Sequence, residues 1–292
     1  MLLPLSSGCR ALVLGAFLTS AALAQAPAVD IPAPSPASTL KQRVGLTDIE
    51  IVYARPGVKG RKIFGGLEPF GSIWRVGANN ATTISFSTPV KFGGKDVPAG
   101  KYALFAQLGR EEWTVILSSA NQQWGSYRYD PKDDVARVTV KANSLGDVLV
   151  ETFLIDINQI RDDSAVLNLV WENTVVSVPL QFDVVPKVRA QIEAVMASNA
   201  AKKPYVAAAM FYLDHKLDLK KAAEWMDLGI AEQPENFRFP FTYRKARILA
   251  AAGDKAGARA AAELSLAGAK QAQGALKDEY VRLNTELLAS LK

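Results

Sequence analysis

The sequence predicts an α+β chain of two parts: an antiparallel β-sandwich or jelly-roll-like unit over 39–184, then an all-helical unit over 186–292. Two observations carry this. From about residue 39 to 183 apolar residues recur with period two, as in half-buried strands, and at Pro186 the period changes to 3.6 and the composition to Ala, Leu, Glu and Lys. A third observation is the absence of helical patterning between the strands, which disfavours a parallel α/β arrangement.

In the first part Ile49, Ile51 and Tyr53 alternate with Asp48, Glu50 and Val52, and Ile84 and Phe86 alternate with Thr83, Ser85 and Ser87. Val138 and Val140, then Val176, Val178, Leu180 and Phe182, repeat the pattern. Short apolar runs at 102–108, 113–118, 148–157 and 165–171 complete eight or nine expected strands. Gly93-Gly94, between V-K-F and K-D-V, reads as a tight hairpin turn. Trp113 and Trp171 fall inside strand patterns and are assigned to the core.

In the second part five or six helices are expected, with breaks near Asn199, Pro204, Leu217, Pro234 and Gly253. Leu217-Asp218-Leu219-Lys220-Lys221-Ala222, with Trp225, Gly229-Ile230 and Pro234 following, resembles the second helix of a tetratricopeptide repeat. Gly253-Asp254-Lys255-Ala256-Gly257-Ala258 resembles the same start, and Ala222 and Ala258 are 36 residues apart, close to the period of roughly 34 for that class. A plain helical bundle is the alternative. Trp225 is expected in the core.

Upstream, Arg10, the apolar run Ala11–Leu23 and Ala22-Leu23-Ala24 before Gln25 read as a signal peptide over 1–24, cleaved near Ala24. The run is too short to span a bilayer. The expectation is an exported chain, periplasmic or extracellular. Residues 25–38 are Pro/Ala-rich and read as a semi-extended linker. Cys9 is the single cysteine, so a chain cleaved after it has no disulfide, thiolate metal site or cysteine nucleophile. The net charge of +5 is spread along the chain without a basic stripe or recognition motif, so no nucleic-acid partner is expected.

Chemistry concentrates in two segments. The first, Arg55–Thr83, holds six glycines together with Arg55, Arg61, Lys62, Arg75 and the pair Asn79-Asn80. Its glycines permit positive φ and close backbone approach. Its cations suit carboxylate, phosphate or sulfate, and its amides both donate and accept. Either it is a polar-ligand site, or its arginines satisfy carbonyls and pair with acids while Trp74 enters the core. No P-loop pattern occurs in it. The second segment, Asn121–Asp130, offers Trp124, Tyr127 and Tyr129, rings that either stack on sugars or pack in the core.

The chain resembles the bacterial secreted family called domain of unknown function 2911 over about Ser38–Asp183. The resemblance rests on 35–56, on G-R-K-I-F-G-G-L at 60–67, on W-R-V-G-A-N-N-A-T-T at 74–83 and on P-A-G-K-Y-A-L-F at 98–105. E-W-T-V-I-L at 112–117, Q-W-G-S-Y-R-Y-D at 123–130 and V-W-E at 170–172 continue it. It implies a β-rich envelope or secreted protein and transfers no activity.

Catalysis has thin support. His215 is the only histidine, set between Leu213 and Leu217 in the helical part, which excludes a Ser-His-Asp triad or a histidine zinc site in the β part. No metal and no cofactor is expected; the D-P-K-D-D run at 130–134 lacks the ligand spacing of a calcium loop. The leading expectation is a binding module for a polar or glycan-like ligand, with the helical part engaging a protein partner. The alternatives are a carboxylate-dependent hydrolase of an envelope polymer, requiring paired acids in a cleft, and a structural scaffold.

Overall fold

The computed structural model describes residues 30–292. The expected signal peptide and most of the linker lie outside them. Two hairpin strands come first, β1 (Ala37–Val44) and β2 (Thr47–Ala54), followed by the two-residue β3 (Ile73–Trp74) and β4 (Thr82–Phe86). The hairpin β5 (Val90–Phe92) and β6 (Lys95–Val97), then β7 (Gly100–Gln107) and β8 (Glu112–Ser118), precede the long strands β9 (Asp134–Ser144), β10 (Val150–Asn158), β11 (Ser164–Glu172) and β12 (Thr174–Phe182). Every strand pair is antiparallel, in the order β1-β2-β4-β7-β8-β9-β12-β11-β10, with β3 on β7 and the β5–β6 hairpin on β12.

The sheet curls until its ends nearly meet. The chain leaving β2 runs along β10: the Val58 amide donates to the Glu151 carbonyl at 2.7 Å, and the Phe153 amide to that of Pro56 at 2.9 Å. The Tyr53 hydroxyl accepts from the Ile155 amide at 3.2 Å. The result is a barrel-like sheet, antiparallel as the alternation predicts. The Gly93-Gly94 turn is also present, with φ of 54° and 81°, the left-handed pair a two-residue hairpin requires.

The inward residues of β2, β4, β7, β8, β10, β11 and β12 form one core. At its centre Phe64, Trp74, Trp113, Phe153 and Trp171 interlock. Trp74 stacks on Trp171 with centroids 5.8 Å apart, and Phe64 meets Trp113 edge-on at 4.7 Å. These are the offset and T-shaped geometries that ring quadrupoles favour. β7 is buried on both faces. Tyr102, Leu104 and Ala106 point into the main core, while Ala103 and Phe105 join a small outer cluster with Ala81 and Ile116. That explains the unbroken apolar run at 102–108, since a strand covered on both sides loses its alternation. The cover over the outer face is the chain between β8 and β9, whose Tyr129 packs edge-on against Phe105 at 5.3 Å.

Six helices follow: α1 (Val185–Ala197), α2 (Tyr205–Asp214), α3 (Leu219–Ala231), α4 (Phe239–Ala251), α5 (Lys255–Gln271) and α6 (Gly274–Ser290). The change of period at Pro186 falls within one residue of the start of α1. α2 packs on α3 and α4 on α5, and α2 and α6 both touch α4, so successive hairpins stack. The two related segments fold alike. Asp218 caps α3 by accepting from the Lys221 amide at 3.0 Å, and Asp254 caps α5 by accepting from the Gly257 amide at 2.8 Å. Ala222 and Ala258 follow, both fully buried where a larger side chain would push the helices apart. The break at Ala272-Gln273 has no counterpart among the predicted ones.

The seam between the two parts is narrow. Val188 of α1 touches both the sheet core and the helical core. His215, its ring tilted against that of Phe211, places Nε2 3.4 Å from the Asp162 carboxylate in the β10–β11 turn.

Candidate functional site

The two chemistry-rich segments, 66 residues apart at their starts in the chain, are zipped together. The Ala81 amide donates to the Gln123 carbonyl and the Gly125 amide to that of Asn79, each at 3.0 Å. The zipper stands at the end of β2, because Gly77 lets the 75–80 turn press against it. A Cβ at Gly77 would lie 2.8 Å from the Ala54 carbonyl oxygen, and its φ of 143° lies where side chains are rarely found.

Between the zipper and the outward faces of β2, β4 and β7 lies a groove of about 560 Å3. Val52, Ala54 and Thr83 form its floor. Asn79, Asn80, Asn121, Gln122 and Gln123 give an amide-rich wall and Trp124 the aromatic rim; among the described residues Lys101 is the one cation in the lining and no Asp or Glu lines it. Trp124 is 62% exposed and stacks on the still more open Tyr127, centroids 5.7 Å apart and planes within 18°. The amides of Asn79, Asn121 and Gln123 each donate to a backbone carbonyl, of Ser35, Lys101 and Ala120 respectively, which fixes their orientation. Apolar rings held in water beside such amides form an amphipathic surface that a sugar ring matches, with its apolar C–H face and polar rim.

The predicted site residues therefore divide. Asn79, Asn80 and Trp124 line the groove, with Tyr127 stacked behind Trp124. Arg55 and Arg61 do not: Arg55 Nε donates to the Phe153 carbonyl at 2.9 Å, and Arg61 donates to the Val58 and Gly57 carbonyls at 3.1 and 2.7 Å. Both fasten the strand-like turn that closes the sheet. Lys62 lies by a separate recess with Arg110 and Trp113. Tyr129 is half-buried, and its hydroxyl donates to Asp134 and accepts from Arg137, both at 2.7 Å. Burial, and then the bond to Asp134, push its phenol up to about 12. It anchors the cover loop.

Arg75 is different again. Its Nε is buried without a partner, and none of its side-chain nitrogens takes part in a hydrogen bond or ion pair among the described residues. Nη1 lies beneath the cover loop, 3.5 Å from where a Gly125 Cβ would stand, and the Tyr127 ring would be 2.6 Å from the same point. Glu68 feels Arg75 without bonding to it: burial pushes its carboxyl up, and Arg75 only partly offsets that.

Sequence reasoning missed Lys101 and the Asn121-Gln122-Gln123 wall. The three consecutive amides before Trp124 were a usable signal. Nothing near Lys101, one outward residue of a strand, set it apart. Among the described residues no group of His, Cys, Asp or Glu is placed to hold a metal ion, and no helix is long and apolar enough to cross a membrane.

A family model described as "Protein of unknown function (DUF2911)" matches residues 35–180, which spans every strand except the last two residues of β12 and includes the whole groove. No curated protein and no solved structure matches the chain.

Proposed function

The chain belongs to the DUF2911 family, and we propose that in this member the β part is a binding module whose groove takes a saccharide. One observation carries the reading. A backbone zipper between distant segments holds Trp124 open to solvent at the rim of an amide-lined groove that no carboxylate lines among the described residues. Leaving a tryptophan in water is unfavourable in a free protein, and the ring recovers that cost when a ligand's apolar face covers it. A lining without carboxylates favours recognition over the two-acid hydrolysis considered above.

The helical part, built of stacked hairpins, serves in this reading as a docking unit for a protein partner. Export to the cell envelope, expected from residues 1–24, would bring the groove to its glycans.

The test exploits an asymmetry of the five tryptophans. Trp74, Trp113, Trp171 and Trp225 are at most 8% exposed, so Trp124 alone reports solvent. Titration with neutral oligosaccharides should shift Trp124 emission to the blue and protect it from acrylamide quenching. Trp124→Ala should lower affinity about tenfold or more and leave the melting temperature unchanged. If no saccharide moves the emission, the reading fails.

A further inference from the structure

We propose that the ligand is a chain of uncharged sugars and not a single unit: the groove continues past Lys101 into a second recess on the same outer face of the sheet, and the two together hold several rings in line. The inference rests on the groove reading and adds the length of the ligand.

The strand register carries it. Three rows of side chains cross the outward faces of β1, β2, β4 and β7. Thr39, Val52, Thr83 and Ala103 make one row, in which Val52 and Thr83 are groove floor. Lys41, Glu50, Ser85 and Lys101 make the next, two residues further along each strand, a step of about 7 Å. Arg43 and Asp48 make the third, with the Asp48 amide donating to the Ser87 hydroxyl at 2.8 Å. Lys101 lines the groove, while its row-mates Lys41, Glu50 and Ser85 line a recess of about 540 Å3 that reaches Arg43 and Asp48. The middle row is thus a border common to both.

The second recess is polar and balanced in charge. Lys41 lies 2.8 Å from Glu50 and Arg43 3.0 Å from Asp48, and all four side chains are open to water. Exposed pairs of this kind cost little to disturb. After one contact each cation keeps N–H groups and each carboxylate keeps lone pairs, and adjacent sugar hydroxyls, donors and acceptors at once, match both. The bond and the charge of Lys41 hold the Glu50 carboxyl below the usual glutamate range, and Lys101 adds to this. A two-acid hydrolase instead keeps one carboxyl protonated, so this recess extends recognition and not catalysis. From Ala54 at the zipper to Asp48 the floor follows six steps of β2. That is about 20 Å of extended strand, the length of about four pyranose rings set end to end.

The experiment measures affinity against chain length, by calorimetry and Trp124 emission, for β-1,4-linked glucose and N-acetylglucosamine oligomers from the monomer to the hexamer. In the wild type, affinity should rise at least about tenfold from dimer to tetramer and level off beyond it. Ser85→Ile, a bulkier side chain suited to a strand, dams the border. Lys41→Ala combined with Glu50→Ala removes the polar groups beyond it. Each variant should bring the tetramer down to the affinity of the dimer, while the dimer keeps its wild-type value. Circular dichroism and melting curves check that both are folded. Equal affinity of the wild type for dimer and tetramer overturns the inference and leaves the groove reading intact. So does a length preference that survives in both variants. Binding of no oligomer, with Trp124 emission unmoved, counts against both.

Discussion

The segment 55–66 and the loop 121–127 look alike as sequence: both are polar, glycine-bearing and furnished with large side chains. They fold in opposite senses. In 55–66 the arginines turn back on carbonyls of the closing turn and Phe64 enters the aromatic core. In 121–127 the backbone is satisfied by the zipper to 79–81, and Trp124 and Tyr127 face water. The backbone is paired in both, through Val58 and Pro56 to β10 in the first and through Gln123 and Gly125 to 79–81 in the second. The difference lies in the large side chains: the first segment spends its arginines and Phe64 on the protein, whereas the second spends only the amides of Asn121 and Gln123 on carbonyls and leaves its two rings in water.

Substitutions can break this contrast. The largest effect is expected for Phe64→Ala, which empties the centre of the aromatic cluster and should cost about 3–5 kcal/mol by chemical denaturation; a loss below about 1 kcal/mol would show that 60–67 is a surface loop. Gly125→Ala forces a side chain into left-handed backbone and against Tyr127, costing roughly 1–2 kcal/mol. It should also weaken saccharide binding, since Tyr127 must move. Arg61→Ala should cost about 1 kcal/mol with no change in ligand affinity, the reverse of Trp124→Ala. If Arg61→Ala instead impairs binding at unchanged stability, the contrast between the two loops fails.

The smallest effect concerns Glu68. Its carboxyl is raised in the fold, so its contribution to stability is fully present below the ordinary glutamate range and is lost as pH rises through the folded value. Glu68→Gln should therefore melt slightly above the wild type at pH 7. The gap should close as the solution is acidified below the usual glutamate range; a gap that widens on acidification would contradict the burial argument.

Much of the fold was legible because it is written in local period. The alternation at 49–53 and 176–182, the Gly93-Gly94 turn and the change at Pro186 each act over a few residues. β1 was less visible: Ala37 and Ser38 were assigned to the linker, and the strand's lone apolar residue before Val44 is Leu40, as befits an edge strand paired on one side only. Closure of the sheet was not legible, because it runs through Pro56 and Gly57, residues that disfavour a strand reading. The candidate site was half visible. Its residue types stood out, but the zipper that unites them is made of main-chain bonds, which leave no mark on side-chain identity. For the same reason Arg61 and Arg75 looked equivalent in sequence, though one is consumed by its own turn and the other is not.

The narrow seam at Val188 and His215 has a thermodynamic consequence. A joint that shares so few side chains transmits little cooperativity from one half to the other. Heating should accordingly reveal two separate endotherms in calorimetry. The helical half, whose hairpins contact chiefly their neighbours, should give the broader one, and the curled sheet with its tryptophan centre the sharper.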